Sequence, residues 1–98
     1  MSVCLILQFP GIDEKKYEGV MKELGLKNGK TSWPKGIVSH VAGVTNEGFC
    51  VVDVWNSKQE FDTFMDTRLK PAFQAAGGLP QPRVTTFDVH NSHFSARM

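Results

Sequence analysis

The stretch Gly36–Trp55, GIVSHVAGVTNEGFCVVDVW, decides the fold. Two runs rich in Val and Ile flank a turn-forming Thr45-Asn46-Glu47-Gly48, which predicts a β-hairpin with strands Ile37–Val44 and Phe49–Trp55. Strands of this composition are buried on at least one face. A charged side chain inside such a strand costs about several kcal/mol unless it is paired or hydrated. Closing the hairpin tightly sets Val44 opposite Phe49. Counting back, His40 then lies opposite Asp53, and Val38 opposite Trp55. Cross-strand partners stand ~4.5–5.5 Å apart at Cβ, so the polar partner that Asp53 requires is His40, with an indole one step along the same face. A shift of one residue would send the two to opposite faces.

Working outward, Val3–Phe9 reads as a strand ended by Pro10-Gly11. Asp13 is placed to cap a helix whose apolar face is Tyr17, Val20, Met21 and Leu24, with Gly25 as its left-handed terminator. Residues 26–35 read as a polar loop carrying Trp33-Pro34. On the other side of the hairpin, Ser57 and Glu60 form a capping-box pattern before a second helix with Phe61, Phe64, Met65 and Leu69 on its inner face. Pro71 is expected to kink or end that helix. A Gly- and Pro-rich loop leads to a last strand near Val84–Val89, and the tail from about residue 92 has little to pack against.

The order β-α-β-β-α-β across a single domain, residues 1–98, is the ferredoxin-like α+β arrangement, an antiparallel sheet with two helices on one face. The other face of the hairpin would carry Ile37, Ser39, Val41, Cys50, Val52 and Val54, which is too apolar for water. A second sheet, most simply from another copy of the chain, is expected to cover it, making a homodimer.

Composition narrows the function classes. A formal charge of +1 at pH 7 argues against a nucleic-acid binder, which needs a concentrated basic surface. The lysines of the first third alternate with Asp13, Glu14, Glu18 and Glu23, as on a solvated helix face. No apolar run is long enough to span a membrane, and the start, MSVCLILQFPG, lacks a basic leader and reads as a strand. Cys4 and Cys50 fall inside strands and read as buried free thiols, which fits a cytoplasmic location. Phosphate loops, nucleophile elbows and CxxC pairs are absent from the sequence.

With GIVSHVAG, GFCVVDVWNSKQEFDTF, RLKP and the closing VHN, the chain resembles the dimeric α+β barrel superfamily, in particular antibiotic-biosynthesis-monooxygenase-like proteins. The resemblance spans nearly the whole chain. It implies a homodimer of packed sheets with a pocket between sheet and helices in each subunit. Some relatives oxidise aromatic polyketides with dioxygen and no metal or flavin; others bind and cleave haem. The haem-degrading members use a first-strand asparagine, a tryptophan ending the third strand and a second-helix histidine. Trp55 matches that tryptophan, but the first strand has only Gln8 as an amide and the second helix has no histidine.

His40 and Asp53 are thus the candidate catalytic pair, the carboxylate orienting an imidazole that acts as general base on a phenol or activated carbon acid. The electron-rich anion so formed serves cofactor-free oxygenation, and equally an isomerisation. The pair also reads as a buried structural contact that fixes strand register. Trp55, Phe61 and Phe64 are candidates for an apolar pocket wall, with Trp55 equally a candidate for core packing, and Trp33 is a candidate lid. Tyr17 is expected to put its ring in the core and its hydroxyl at the edge or at the pocket; Arg68 suits an anionic substrate group, and equally a salt bridge to an acidic residue or snorkelling from the helix edge; His90 closes the last strand. A metal held by His40, Asp53 and His90 fits by residue type but not by fold, since the second and fourth strands are opposite sheet edges. The expected function is a monooxygenase-like or isomerase-like enzyme, without cofactor or metal, acting on a hydrophobic or aromatic metabolite. The alternatives are a non-catalytic ligand-binding or stress-related dimeric module and, third, haem binding.

Overall fold

The computed structural model describes residues 2–26 and 33–95. The loop expected over residues 26–35 and the end of the tail therefore lie partly outside the described residues. Four strands, β1 (Val3–Pro10), β2 (Ile37–Thr45), β3 (Gly48–Trp55) and β4 (Arg83–Asp88), form one antiparallel sheet in the order β2-β3-β1-β4. This is the ferredoxin-like order, with both helical segments on one face. The central strand β1 alternates as its sequence dictates. Val3, Leu5, Leu7 and Phe9 point into the core, where they meet Phe49, Val51, Trp55 and Phe61. Leu5 and Trp55 are fully buried.

In the hairpin, Val44 pairs with Phe49 and His40 with Asp53, as turn counting predicts. The count fails one step later. A β-bulge lies between Ile37 and Ser39, so Trp55 faces Ile37, and Val38 is the extra residue, left exposed at the sheet edge. Since side chains alternate, one inserted residue reverses the face of everything before it. Ile37 accordingly packs on the helix-covered core and not on the outer face. That outer face carries Val41, Val52, Val54, Cys50, Ile6 and, from β4, Phe87, with Val41 56% and Phe87 52% exposed. Cys50 is half-buried there, while Cys4 is buried; both are free thiols. At the tight end of the hairpin Gly48 has φ 151°, and a Cβ at this position would collide with the carbonyl oxygen of Phe9, its neighbour across the sheet.

Helix α1 (Glu14–Leu24) is capped by Asp13, whose side chain accepts from Lys16 N at 2.9 Å. It ends in a Schellman arrangement, with Gly25 N bonded to Lys22 O and Leu26 N to Met21 O, each 3.1 Å, and Gly25 left-handed. This turn swings Leu26 inward against Val20, Leu24, Leu69 and Ala72, so Leu26 is a core residue and not the first of a polar loop. Helix α2 (Lys58–Phe64) is capped by Ser57, which accepts from Glu60 N and donates to the Glu60 carboxylate.

Pro71 does not stop the helix. A π-helical turn, Met65–Leu69, follows α2 and leads directly into α3 (Lys70–Ala75), which carries Pro71 in its first turn. The wider turn has Lys70 N reach back to Met65 O, five residues earlier. Widening the turn immediately before Pro71 offers a way round the ring clash that an unbroken α-helix would impose. Among the described residues, no helix is long and apolar enough to cross a membrane.

Candidate functional site

A hairpin and a helix remote from it in sequence build the site. Strand β3 supplies Asp53 from the middle of the sheet, and edge strand β2 supplies His40 directly beside it. Helix α1 lies across them and lowers Tyr17 onto the imidazole. The result is a continuous chain of hydrogen bonds. Tyr17 Oη lies 2.6 Å from His40 Nε2, His40 Nδ1 lies 2.7 Å from Asp53 Oδ1, and Trp55 Nε1 donates to Asp53 Oδ2 at 3.3 Å. A carboxylate only accepts, so Nδ1 carries its proton toward Asp53; in the neutral ring Nε2 is then an acceptor, and the Tyr17 hydroxyl donates to it.

Burial grades along this chain. Asp53 is 5% exposed, the one buried charged residue among those described. The His40 side chain is 19% exposed and faces outward from it. Tyr17 stacks on Phe49, with ring centroids 4.4 Å apart, and lies nearly parallel to the imidazole. Its phenol is pushed up to about 12, first by burial and then by the negative charges of Asp53 and Glu18. Burial and Asp53 also raise the Cys4 thiol. Among the described residues every buried side-chain nitrogen and oxygen has a hydrogen-bond partner.

Two spaces meet at this relay. An open cleft of about 510 Å³ lies between α1 and the edge of β2, bounded by Tyr17, Glu18, Met21, Lys22, Leu26, Trp33 and His40. That is within the size range of small-molecule sites. Behind it, between sheet and helices, is an apolar cavity of about 60 Å³ that shares the Tyr17, Met21, Leu26, Trp33 and His40 wall and reaches Asp53, Val51, Phe64 and Leu69. Trp33 covers the imidazole, its ring centroid 4.9 Å from that of His40.

The structure thus brings together His40, Asp53, Tyr17 and Trp33. Phe64 lines the inner cavity. Trp55 and Phe61 line neither space; they pack edge to face on each other in the core, and Trp55 reaches the site only through its bond to Asp53. Arg68 does not border the cleft. Its guanidinium donates to the Leu24 carbonyl at the end of α1 and lies over the Phe64 ring, so it ties the two helices together. His90 is exposed just beyond β4, at the sheet edge opposite β2. Among the described residues no three His, Cys, Asp or Glu side chains lie close enough to hold a metal ion.

The Tyr17–His40 bond joins residues 23 apart in sequence and follows from helix-on-sheet packing, which no local pattern encodes. Its one sequence signal is a polar tip at the start of an otherwise apolar helical stripe.

No protein-family model matches the chain, and no curated protein matches it by sequence. Solved structures do. A candidate antibiotic biosynthesis monooxygenase from Chloroflexus aurantiacus J-10-fl superposes with a TM-score of 0.69 at 13% identity, over 96% of this chain and 98% of that one. SnoaB, a cofactor-independent oxygenase from Streptomyces nogalater, gives 0.66 at 14% identity, over 93% and 95%. A monooxygenase from the ActVA-Orf6 gene of Streptomyces coelicolor, in complex with nanaomycin D, gives 0.55 at 16% identity, over 97% and 92%. At these identities the likeness is one of fold: the chain has the ferredoxin-like α+β fold of the antibiotic biosynthesis monooxygenase structures.

Proposed function

We propose that this protein is a cofactor-independent, monooxygenase-like enzyme that ionises a hydrophobic phenol or related carbon acid in the cleft beside His40. The observation that carries the reading is the Tyr17–His40–Asp53 relay, which ends at the mouth of a ligand-sized cleft. Tyr17 already occupies Nε2, so the substrate hydroxyl gives its proton to Tyr17 Oη while Tyr17 passes its own to Nε2. The high phenol value disfavours a standing tyrosinate, which makes the two transfers one concerted pass. Asp53 holds the imidazole in the required tautomer and stabilises the imidazolium that results. Trp33 covers the imidazole from the open side. Fold likeness to a cofactor-independent oxygenase and to a monooxygenase in complex with nanaomycin D supports this direction.

The overall change is phenol plus dioxygen giving quinone plus water. One oxygen atom enters the ring, the other leaves as water, and the substrate supplies all four electrons, so no cofactor is required. The working unit in this reading is a homodimer, because Val41, Val52, Val54 and Phe87 leave an apolar sheet face that a second copy covers.

Oxygen uptake with a panel of polycyclic phenols tests the mechanism. Active wild-type protein, with activity lost in His40→Ala and sharply reduced in Tyr17→Phe and Asp53→Asn, is the expected outcome. Full turnover in both His40→Ala and Asp53→Asn would refute the base. Saturable binding of the phenols without any turnover would favour the non-catalytic ligand-binding module.

A further inference from the structure

The cavity behind the relay is not explained by the organic substrate. At about 60 Å³ it is far too small for a ring system and has room for a molecule or two the size of water, whose share of liquid volume is ~30 Å³. It is also a poor site for water. A buried water needs two to four polar partners, whereas this wall is almost wholly hydrocarbon: Val20, Leu24, Val51, Phe64 and Leu69. Of its polar members, Tyr17, His40 and Asp53 are already bonded to one another, which leaves the Trp33 indole as the only other side chain with a polar atom among the described lining residues. Apolar cavities of this kind stay dry and take up apolar gases and small hydrocarbons.

We infer that this inner cavity is a dioxygen-binding site that adjoins the substrate cleft along Tyr17 and His40. The inference rests on the oxygenase reading for the identity of the gas. It adds that the gas has its own apolar recess, next to the substrate cleft and sharing the Tyr17–His40 wall with it. Dioxygen is apolar, diatomic and needs no hydrogen bond, so it fits both the size and the lining. The shared wall, which includes Met21, Leu26 and Trp33, puts the gas within one side chain of the cleft where the anion forms.

The test uses dioxygen itself, whose unpaired electrons speed the relaxation of nearby methyl groups. In methyl-labelled protein under dissolved oxygen, the Val20, Leu24, Val51 and Leu69 methyls should relax faster than those of Leu5, which is fully buried but borders no cavity, by roughly threefold. The excess should saturate with oxygen pressure. Val51→Ile and, separately, Val20→Ile each push one methylene into the space and should cut the excess by about half or more. An excess no larger than at Leu5, or one unchanged in both variants, overturns the proposal. That result would leave the proton relay standing, because the measurement needs no substrate. Conversely, loss of the oxygenase reading would appear as absent oxygen uptake with phenols, whatever the methyls report.

Discussion

Replacing His40 by alanine strips Asp53 Oδ1 of its 2.7 Å partner and leaves the carboxylate with the single 3.3 Å bond from Trp55. Leaving a buried charge without its partner costs about 3–5 kcal/mol. Two features of the structure lower that figure. The His40 side chain is 19% exposed and borders the open cleft, so water can enter the space it vacates. The lost charge-assisted bond alone is worth about 1.5–3 kcal/mol. The expected destabilisation is therefore about 2–3 kcal/mol, or a fall of roughly 10–15 °C in melting temperature for a domain of this size. Asp53→Asn removes the buried charge but keeps an acceptor for Nδ1. Its amide nitrogen then faces the Trp55 N–H, donor against donor, and the expected cost is about 1–2 kcal/mol. In the double variant no buried charge is left to strand, so it should cost no more than His40→Ala alone, giving a coupling energy of about 1–2 kcal/mol. Urea unfolding of all four proteins at one fixed concentration measures this, since association with a second copy would link stability to concentration. A cost below about 0.5 kcal/mol for His40→Ala, or additive single effects, would refute the argument that Asp53 depends on the imidazole.

Three further outcomes are expected. The Tyr17 phenol, raised to about 12 in the fold, keeps its proton where the unfolded chain has lost it; stability is thus full below pH ~10 and falls as pH climbs toward 12, and alkaline unfolding of Tyr17→Phe should show a shallower slope there. Gly48→Ala drives a Cβ into the Phe9 carbonyl at φ 151° and should cost at least about 2 kcal/mol in chemical denaturation, against near neutrality for Gly43→Ala, where a Cβ meets open space. Val41→Glu combined with Phe87→Lys places charges on the bare sheet face and should give a monomer by sedimentation velocity under conditions where the wild type is a dimer.

Much of the fold is written locally. Asp13 and Ser57 sit at helix starts because their side chains satisfy free amides there. The His40–Asp53 register follows from turn length and strand parity alone. What local pattern could not supply was set by packing. The bulge at Val38 has no glycine or proline to announce it. The π-helical turn at Met65–Leu69 reads in sequence as ordinary helix, and only the continuation past Pro71 reveals it. Trp55 and Phe61, plausible as pocket walls by type, are drawn into the core by the bulk of their rings, and Arg68 is taken up by a carbonyl at the end of the other helix. Tyr17 reaches His40 only because α1 crosses the sheet at one height, a property of the assembled layers.

The extra residue at Val38 acts as a phase correction between two parts of the chain that answer to different demands. Beyond it, the hairpin keeps step with the turn, and its parity is spent on setting His40 against Asp53. Before it, parity is reset, so Ile37 arrives on the helix side of the sheet and Trp33 lies against the imidazole. The approach to the cleft can therefore change in length or direction without dragging the His40–Asp53 pair out of step, and the pair can keep its register while the covering segment diversifies. One extra residue thus separates variation at the entrance from the geometry of the pair.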